Sequence, residues 1–220
     1  FDVHLDMARR MGMEDANERT AIERFMRRYF LVAKDVGDLT RIFCAALEEK
    51  HKKRRPFALF RRPLRKRLVE GFEIEGGRLS IVRAQTLRAE PVKILRLFHL
   101  AQERGLDVHP DALMLIRQNL KLIDAELRRD PAANELFMEM LASSNDPETT
   151  LRRLNEAGVL GRFIPDFGRV VARMQHDMYH VYTVDEHTIR AIGLLAKIEK
   201  GELAEAQPLA NIIVHRVQSP

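Results

Sequence analysis

Apolar residues recur at helical spacing from about residue 17 to residue 49, and this run restricts the fold more than any other feature of the chain. Steps of three and four residues place the apolar positions on one face of an α-helix. Gly37 is the weak point, because a glycine inside a helix costs about 1 kcal/mol relative to alanine. The spacing predicts one long amphipathic helix with the apolar positions Ile22, Phe25, Met26, Tyr29, Val32, Ala33, Val36, Leu39, Phe43, Ala46 and Leu47.

Prolines and glycines divide most of the remaining sequence into shorter helices. Asp130-Pro131 and Asp146-Pro147 each pair a capping side chain with a proline, which is typical of a helix start. Pro91 and Pro110 suit the first position of two other helices. The other expected boundaries are a short first helix ending near Gly12, the end of the Pro91 helix at Gly105, a helix from Pro110 through Ile123, and chain breaks at Gly158 and Gly161.

The stretch from Gly71 to Val82 carries the convincing β signal. Phe72 and Ile74 alternate with polar residues, the alternation resumes at Leu79, and Gly76-Gly77 can adopt the positive φ angles of a tight turn. A lone hairpin is marginally stable, so this one should pack on neighbouring helices. The predicted fold class is therefore all-α, mainly a helical bundle, with one small β-hairpin near residues 71–82.

Composition limits the class of protein. The 220 residues are 45% hydrophobic and 31% charged, which suits a folded protein with enough apolar material for a core. A single cysteine, Cys44, excludes an internal disulfide framework and fits a reducing cytoplasm. We recognise no signal peptide and no uncharged apolar run long enough to cross a membrane. The sequence begins at Phe1 without a methionine, so we expect an internal piece of a longer cytoplasmic protein.

Positive charge is concentrated in one segment. The formal net charge is +5, and ten lysines and arginines fall between Lys50 and Arg67, a stretch interrupted by Pro56 and Pro63. Such a cluster attracts phosphates and acidic surfaces. A solvated connector, kept extended by its own charges, is the alternative interpretation.

Thr183-Val-Asp-Glu186 has the pattern of a capping box at the start of a helix. Apolar residues at helical spacing from Val184 to Ile198 give this helix one apolar face, and His187 falls on the same, inward face. An inward imidazole is either a hydrogen-bonded core residue or a ligand in a buried metal site, and spacing alone leaves both open. Asp185 and Glu186 are interpreted as residues that complement the helix dipole.

Three segments carry a family resemblance: ERFMRRYFLVAK at 23–34, EPVKILRLFHLA at 90–101, and MQHDMYHVYTVDEHTIR at 174–190. They resemble the bifunctional uridylyltransferase/uridylyl-removing enzymes that act on the PII protein in bacterial nitrogen signalling. The last segment is similar to the start of the HD-type hydrolase domain in that family. The similarity runs through nearly the whole chain.

The resemblance implies that His187 is a metal ligand in a longer enzyme. HD-type hydrolases hold one or two divalent metals with a histidine, a later His-Asp doublet and a more distant aspartate, and the metal activates a water molecule. His187 is similar to the first of these ligands, and the metal would be Mg²⁺ or Mn²⁺. The doublet should follow residues 212–214, where this sequence stops. We therefore expect no stable metal binding and no hydrolysis by this chain alone.

Other histidines lie just before His187. His180 is a candidate contact to a metal ligand or to the substrate phosphate. His176-Asp177 is a literal His-Asp pair, but it precedes the first ligand, whereas the doublet of the family follows it. We interpret His176 and Asp177 as surface residues or as residues that contact a metal ligand without binding the metal.

The resemblance also implies domains and partners. Residues 1–50 would be N-terminal helices that buttress an absent nucleotidyltransferase domain, 51–165 a helical middle domain, and 166–220 the start of a truncated HD-type domain. The partners of the whole enzyme would be the PII signal protein, UTP and glutamine. The paired catalytic aspartates of a nucleotidyltransferase find no match, because Asp35 and Asp38 share the solvent side of the long helix and are interpreted as surface charges.

A second interpretation is an RNA-binding helical module. Residues 90–96 and 107–110 also resemble the helical part of tRNA nucleotidyltransferases of the poly(A)-polymerase type, and the basic segment could contact phosphates. Aromatic residues patterned for base stacking are missing, so nucleic acid is the less favoured partner. A different HD phosphohydrolase, such as one of the stringent response, would share His187 but not the upstream segments.

Overall fold

The computed structural model describes residues 5–15, 20–53, 67–172 and 182–216. Most of these residues are helical and a few form a small sheet, which confirms the predicted fold class. In the described part of the chain, no helix is both long and apolar enough to span a membrane. In chain order the elements are α1 (Leu5–Arg10), α2 (Ala21–Lys53), β1 (Arg67–Val69), β2 (Phe72–Glu75), β3 (Arg78–Ser80), α3 (Ala84–Ala89), α4 (Lys93–Arg104), β4 (Asp107–Val108), α5 (Pro110–Gln118), a 3-10 turn (Leu120–Leu122), α6 (Ala125–Arg129), α7 (Pro131–Ala142), α8 (Pro147–Glu156), α9 (Val159–Phe163), α10 (Pro165–Val170), α11 (Val184–Glu199) and α12 (Pro208–Arg216).

The long helix predicted from the apolar spacing is α2, which runs for 33 residues without interruption at Gly37. A capping box begins it: the Thr20 amide donates to Glu23 at 3.0 Å, and the Glu23 amide donates to the Thr20 hydroxyl at 3.2 Å. One side of α2 packs on the rest of the structure. The other side leaves a row of large apolar side chains exposed, namely Tyr29, Val32, Val36, Leu39, Phe43 and Leu47.

The predicted hairpin is the β2–β3 pair, and its turn uses positive φ angles of 59° at Gly76 and 81° at Gly77. The described residues extend this hairpin to a four-stranded sheet in the order β1-β2-β3-β4. Strand β1 pairs antiparallel with β2, and β4 pairs parallel with β3. The sequence did not predict these two strands, because three and two residues are too short for an alternating pattern to be visible.

Aspartate caps begin the helices that the Asp-Pro pairs predicted. The Asp130 carboxylate accepts from the Ala132 amide at 3.0 Å, and the Asp146 carboxylate accepts from the Thr149 amide at 3.1 Å. Two other predicted boundaries were wrong. Helix α4 begins at Lys93 and not at Pro91, and α5 ends at Gln118, where a 3-10 turn replaces the expected continuation through Ile123.

The core lies where α4 packs between the sheet and helices α7 and α8. Helix α4 is buried along most of its length, so it acts as the central support of the structure. Helix α8 contributes the far side of this core and also contacts α9 and α11. The largest fully buried side chains are Phe72, Phe98, Leu79, Leu87, Ile94, Leu95, Leu97, Leu100, Ile116, Met140, Leu151 and Leu154.

Two glycines allow helices α9 and α10 to approach closely. Gly161 lies inside α9, so it does not break the chain as its sequence context suggested; the break is at Gly158, where φ is 76°. A Cβ atom added at Gly168 in α10 would overlap the carbonyl oxygen of Gly161 and lie 3.1 Å from its carbonyl carbon. The absence of side chains at both positions therefore sets the distance between these helices.

We expect Gly168→Ala to lower the free energy of unfolding by about 1–3 kcal/mol, the usual cost of inserting a methyl group into a filled contact. The matched control is Gly37→Ala, where an added Cβ meets nothing within 4 Å. That substitution should raise stability by about 0.5–1 kcal/mol, because alanine loses less backbone entropy in a helix. Urea unfolding of both variants checks the pair, and equal effects of the two would contradict the close approach.

Candidate functional site

The last turn of α8 is the point where three other helices are attached. The final carbonyl oxygens of a helix have no partner within the helix and attract cations. The Asn155 oxygen accepts from the Lys34 ammonium of α2 at 3.2 Å, and the Glu156 oxygen accepts from the Arg117 guanidinium of α5 at 2.9 Å. We call Arg152, Asn155 and Glu156, with the side chains that contact them, the α8 junction.

Helix α11 joins the α8 junction through a buried carboxylate. Asp185 is 1% exposed, and its two oxygens accept from the Asn155 side-chain amide at 3.0 Å and from the Ala172 amide at 3.1 Å. Asn155 itself is 3% exposed. Losing either donor would leave a buried carboxylate oxygen without a partner, which costs about 1–3 kcal/mol or more. These bonds therefore fix the first turn of α11 against α8.

Charged side chains surround this buried pair. The carboxylate of Glu156 pairs with Arg41 of α2, and Arg117 bonds Asp35 of α2 at 3.1 Å. Asp35 is exposed, as predicted for a surface charge, but it also helps to hold α2 on α5. The side chain of Asp38 lies outside the described residues.

The side chain of Arg152 bridges helices α8 and α11. Its guanidinium donates to Glu148 of α8 at 2.9 Å and also pairs with Glu186 of α11. Partial burial alone would lower the pKa of Arg152, but the two carboxylates outweigh burial and raise the pKa above its ordinary value. The guanidinium, which is always charged in proteins, bridges a carboxylate of each helix.

A cleft of about 370 Å³ opens between α2, α8 and the start of α11. Lys34 and Arg41 line one side, Arg152 the other, and Tyr182 and Thr183 the edge that leads into α11. The cations of the cleft are engaged with carboxylates and carbonyls of the α8 junction. The cleft is therefore a polar interface between helices in which the positive side chains are paired with carboxylates or carbonyl oxygens.

His187 lies on α11 but is exposed, so its predicted inward position was wrong. The buried face of α11 is formed by Asp185, Ile189 and Gly193, which recur every four residues. His187 is about 200° around the helix from Asp185, because each residue turns the helix by about 100°. The apolar face that the sequence indicated is instead accessible, with Leu194 43% exposed.

The predicted capping box at α11 does not form. Thr183 stands at the N-cap position, but its side chain makes no cap hydrogen bond, and Glu186 pairs with Arg152. The Arg152 guanidinium of α8 binds Glu186, so this glutamate does not reach back to the cap residue. This contact depends on tertiary packing and is invisible in the local sequence.

The other candidate residues cannot be placed. His176, Asp177 and His180 lie outside the described residues, as does most of the basic segment. Within the described ranges, no three His, Cys, Asp or Glu side chains cluster as a metal site would require. His187 offers one accessible imidazole, which suits a divalent metal only if further ligands are added, because Asp185 and Glu186 are engaged elsewhere.

Sequence reasoning missed Asn155 and Asp185 as a pair. Asp185 was interpreted as a cap residue, and Asn155 lies beside the buried Leu154 with no motif around it. The available signal was weak: a short polar residue one position after the apolar Leu151–Leu154 face of an amphipathic helix. Only the approach of α11 reveals that both polar side chains are buried.

Comparison with known families decides the relationship. Residues 72–163 match the family described as uridylyltransferase GlnD third domain, and residues 1–44 match the family described as GlnD PII-uridylyltransferase. The whole chain is 53% identical to a bifunctional uridylyltransferase/uridylyl-removing enzyme of Azospirillum brasilense. The chain belongs to the GlnD uridylyltransferase family. The family resemblance stated from the sequence is therefore confirmed.

Other relatives carry the same name. The identity over the whole chain is 52% to the protein of Rhodospirillum rubrum and 51% to that of Novosphingobium aromaticivorans. The chain covers 24%, 23% and 24% of the three relatives, so it spans about a quarter of their length. No solved structure matches the chain. The relatives favour the uridylyltransferase interpretation over the RNA-binding module.

The Asp146 cap at the start of α8 gives the stability of the fold a pH dependence. Partial burial alone would raise the pKa of Asp146, but hydrogen bonds from Thr149 and the charges of Arg153 and Lys197 outweigh it, so the pKa lies below its ordinary value of 3.8. A lowered pKa in the folded state means that the ionised carboxylate stabilises the fold above the pH at which the unfolded chain titrates. That contribution is lost as the pH falls through the folded-state pKa.

We expect Asp146→Asn to be less stable than the wild type at pH 7 and to approach it as the pH falls below about 3.8. Asparagine keeps the cap and tolerates the φ of 43° at this position, so the substitution isolates the charge. Urea unfolding from pH 7 to pH 2 measures the difference. A gap between the two proteins that stays constant with pH would contradict the lowered pKa.

We expect Gly193→Ala to loosen α11, because a Cβ atom there would lie 2.7 Å from the Cβ of Glu148. Relief requires either that Glu148 leaves Arg152 or that α11 moves away, at a cost of about 1–3 kcal/mol. Hydrogen exchange of the α11 amides should accelerate accordingly. Ala191→Ser, on the exposed side of the same helix, is the control and should leave exchange unchanged.

Proposed function

We propose that this chain is the helical middle region and the start of the HD-type domain of a bifunctional uridylyltransferase/uridylyl-removing enzyme. The observation that carries the proposal is the identity of 51–53% over the whole chain to relatives of that name. The proposed division keeps 1–50 as helices that buttress a nucleotidyltransferase domain, 51–165 as the middle domain and 166–220 as the beginning of the hydrolase domain. A cytoplasmic location belongs to the same proposal.

The role of the region would be to connect the transfer and removal activities. Residues 21–44 of helix α2 lie in the part that matches the PII-uridylyltransferase family, and α11 carries the proposed hydrolase ligand. Both helices are bonded to the last turn of α8, through Lys34 on one side and Asp185 on the other. One rigid turn of the middle region thus supports the elements that lead to both activities.

His187 would supply one neutral imidazole to a divalent metal, Mg²⁺ or Mn²⁺, in the complete enzyme. Such a metal lowers the pKa of water and neutralises charge on a phosphate, which would permit hydrolysis of the bond between UMP and a PII tyrosine at neutral pH. The contribution of this chain is to present the imidazole at the start of α11, on the accessible side of the helix. Affinity requires additional ligands, so the chain alone should not bind metal stably.

The proposed partners follow from the same activity. The PII signal protein would be the substrate of both reactions, UTP the UMP donor for transfer, and glutamine a further ligand of the whole enzyme. His180 remains a proposed contact to a metal ligand or to the phosphate. The residues that perform UMP transfer would lie elsewhere in the enzyme.

We expect His187→Ala in the full-length enzyme to reduce release of UMP from uridylylated PII by at least about a hundredfold, since removing a metal ligand disables the activated water. Transfer of UMP from UTP to PII should stay close to wild type. Both rates can be measured with purified PII and labelled UMP.

The matched control is His99→Ala. His99 pairs with Glu139 at 2.9 Å between α4 and α7, away from α11, so its loss should leave both rates unchanged. If His187→Ala loses both activities, or neither, the ligand assignment is wrong.

A further inference from the structure

Asp185 is the most deeply buried charged side chain among the residues that the structure describes. It lies in the first turn of α11, two residues before His187. A buried carboxylate is tolerated only when donors satisfy its oxygens, and Asn155 and Ala172 provide them from two different parts of the chain. In the function proposed above, the Asn155–Asp185 bond attaches α11 to α8, but none of these three residues is given an effect on the metal.

We infer that Asn155 and Asp185 form a positioning pair that fixes the first turn of α11 on α8 and thereby sets where His187 can bind a divalent metal. The inference rests on the proposed function, because it concerns the same metal. Neither residue is proposed as a metal ligand or a substrate contact, because both side chains are buried and bonded to each other. Their effect is transmitted through the rigid helical turn that contains both Asp185 and His187.

The geometry of a helix makes this transmission direct. Asp185 and His187 are separated by about 3 Å along the helix axis and point to opposite sides. If α11 slides along α8, the imidazole moves by the same distance as the helix. If α11 rotates about its own axis, the imidazole turns around that axis by the same angle. Apolar contacts such as that of Ile189 resist such movements weakly, whereas hydrogen bonds weaken steeply when their angles change.

The Ala172 contact strengthens the anchor. Ala172 is 2% exposed and has a φ of 55°, a left-handed conformation that a residue with a Cβ adopts rarely. Its amide donates to Asp185, so the strained turn after α10 and the first turn of α11 hold each other in place. With Asn155 on the other oxygen, the carboxylate is fixed from two directions.

The test exchanges the two side chains in the full-length enzyme. Asn155→Asp brings two carboxylates within hydrogen-bond distance, and Asp185→Asn alone leaves one donor facing another. In the double variant Asn155→Asp/Asp185→Asn, the introduced amide accepts from Ala172 and donates to the introduced carboxylate. The hydrogen bond between positions 155 and 185 then forms again, with donor and acceptor exchanged.

Two quantities separate positioning from stability. One is the Kd for Mn²⁺ at the site that His187→Ala abolishes, measured on metal-free enzyme from the spectrum of free Mn²⁺. The other is UMP release, compared with UMP transfer in the same samples. We expect each single variant to weaken Mn²⁺ binding and UMP release by about tenfold or more with transfer retained, and the double variant to recover most of the loss.

The matched control is Gln102→Glu. Gln102 is 8% exposed and donates to the Met140 carbonyl at 3.2 Å, so this variant makes the same amide-to-carboxylate change in the core without touching α11. It should lower thermal stability and leave the Kd for Mn²⁺ unchanged. A control that weakens Mn²⁺ binding as much as Asn155→Asp would overturn the positioning role.

The remaining outcomes distinguish the two proposals. Single variants with wild-type Mn²⁺ binding, or a double variant as weak as the single ones, would overturn the pair while His187→Ala still supports the proposed function. If His187→Ala itself keeps Mn²⁺ binding and UMP release, the ligand assignment fails, and the positioning role fails with it.

Discussion

The last turn of a helix exposes carbonyl oxygens that its own backbone cannot satisfy, and the arrangement of this protein depends on how α8 satisfies them. Lys34 of α2 and Arg117 of α5 donate to the backbone carbonyl oxygens of Asn155 and Glu156. The unsatisfied end of α8 is therefore the place where α2 and α5 are attached. The Asn155 side chain adds α11 through Asp185. The hydrophobic core holds α4, α7 and α8 together and includes Ile116 of α5 and Ile189 of α11. Polar groups at the end of α8 add specific bonds to α2, α5 and α11.

Much of the fold could be predicted because its signals are local. The apolar spacing of α2, the aspartate caps of α7 and α8, and the Gly76-Gly77 turn each depend on a few neighbouring residues. Strands β1 and β4 could not be predicted in the same way. They exist because the β2–β3 hairpin offers them partners, and β4 pairs with a strand that lies far away in sequence.

The orientation of α11 shows why the candidate site was harder to predict. The helix has apolar residues on two sides, with Ile189 on one and Leu194 and Leu195 on the other. Counting apolar residues selected the wrong side, because the buried side begins with an aspartate. The position of Asp185 in the core depends on its partners Asn155 and Ala172, which no local pattern identifies. Spacing alone predicted that His187 faces inward and left a core role and a metal-ligand role open, and the family resemblance favoured the ligand role.

The contacts of α2 have a mechanical consequence. Its 33 residues extend for about 50 Å, while the side chains that bond it to α5 and α8, Lys34, Asp35 and Arg41, cluster around its midpoint. Near the C-terminal end, Glu48 also reaches Arg78 of β3 at 3.9 Å, and a partly exposed ion pair of this length restrains that end only weakly. A tilt of about 5° about the bonded midpoint would move each end of the helix by about 2 Å in opposite directions, which is enough to make or break a hydrogen bond.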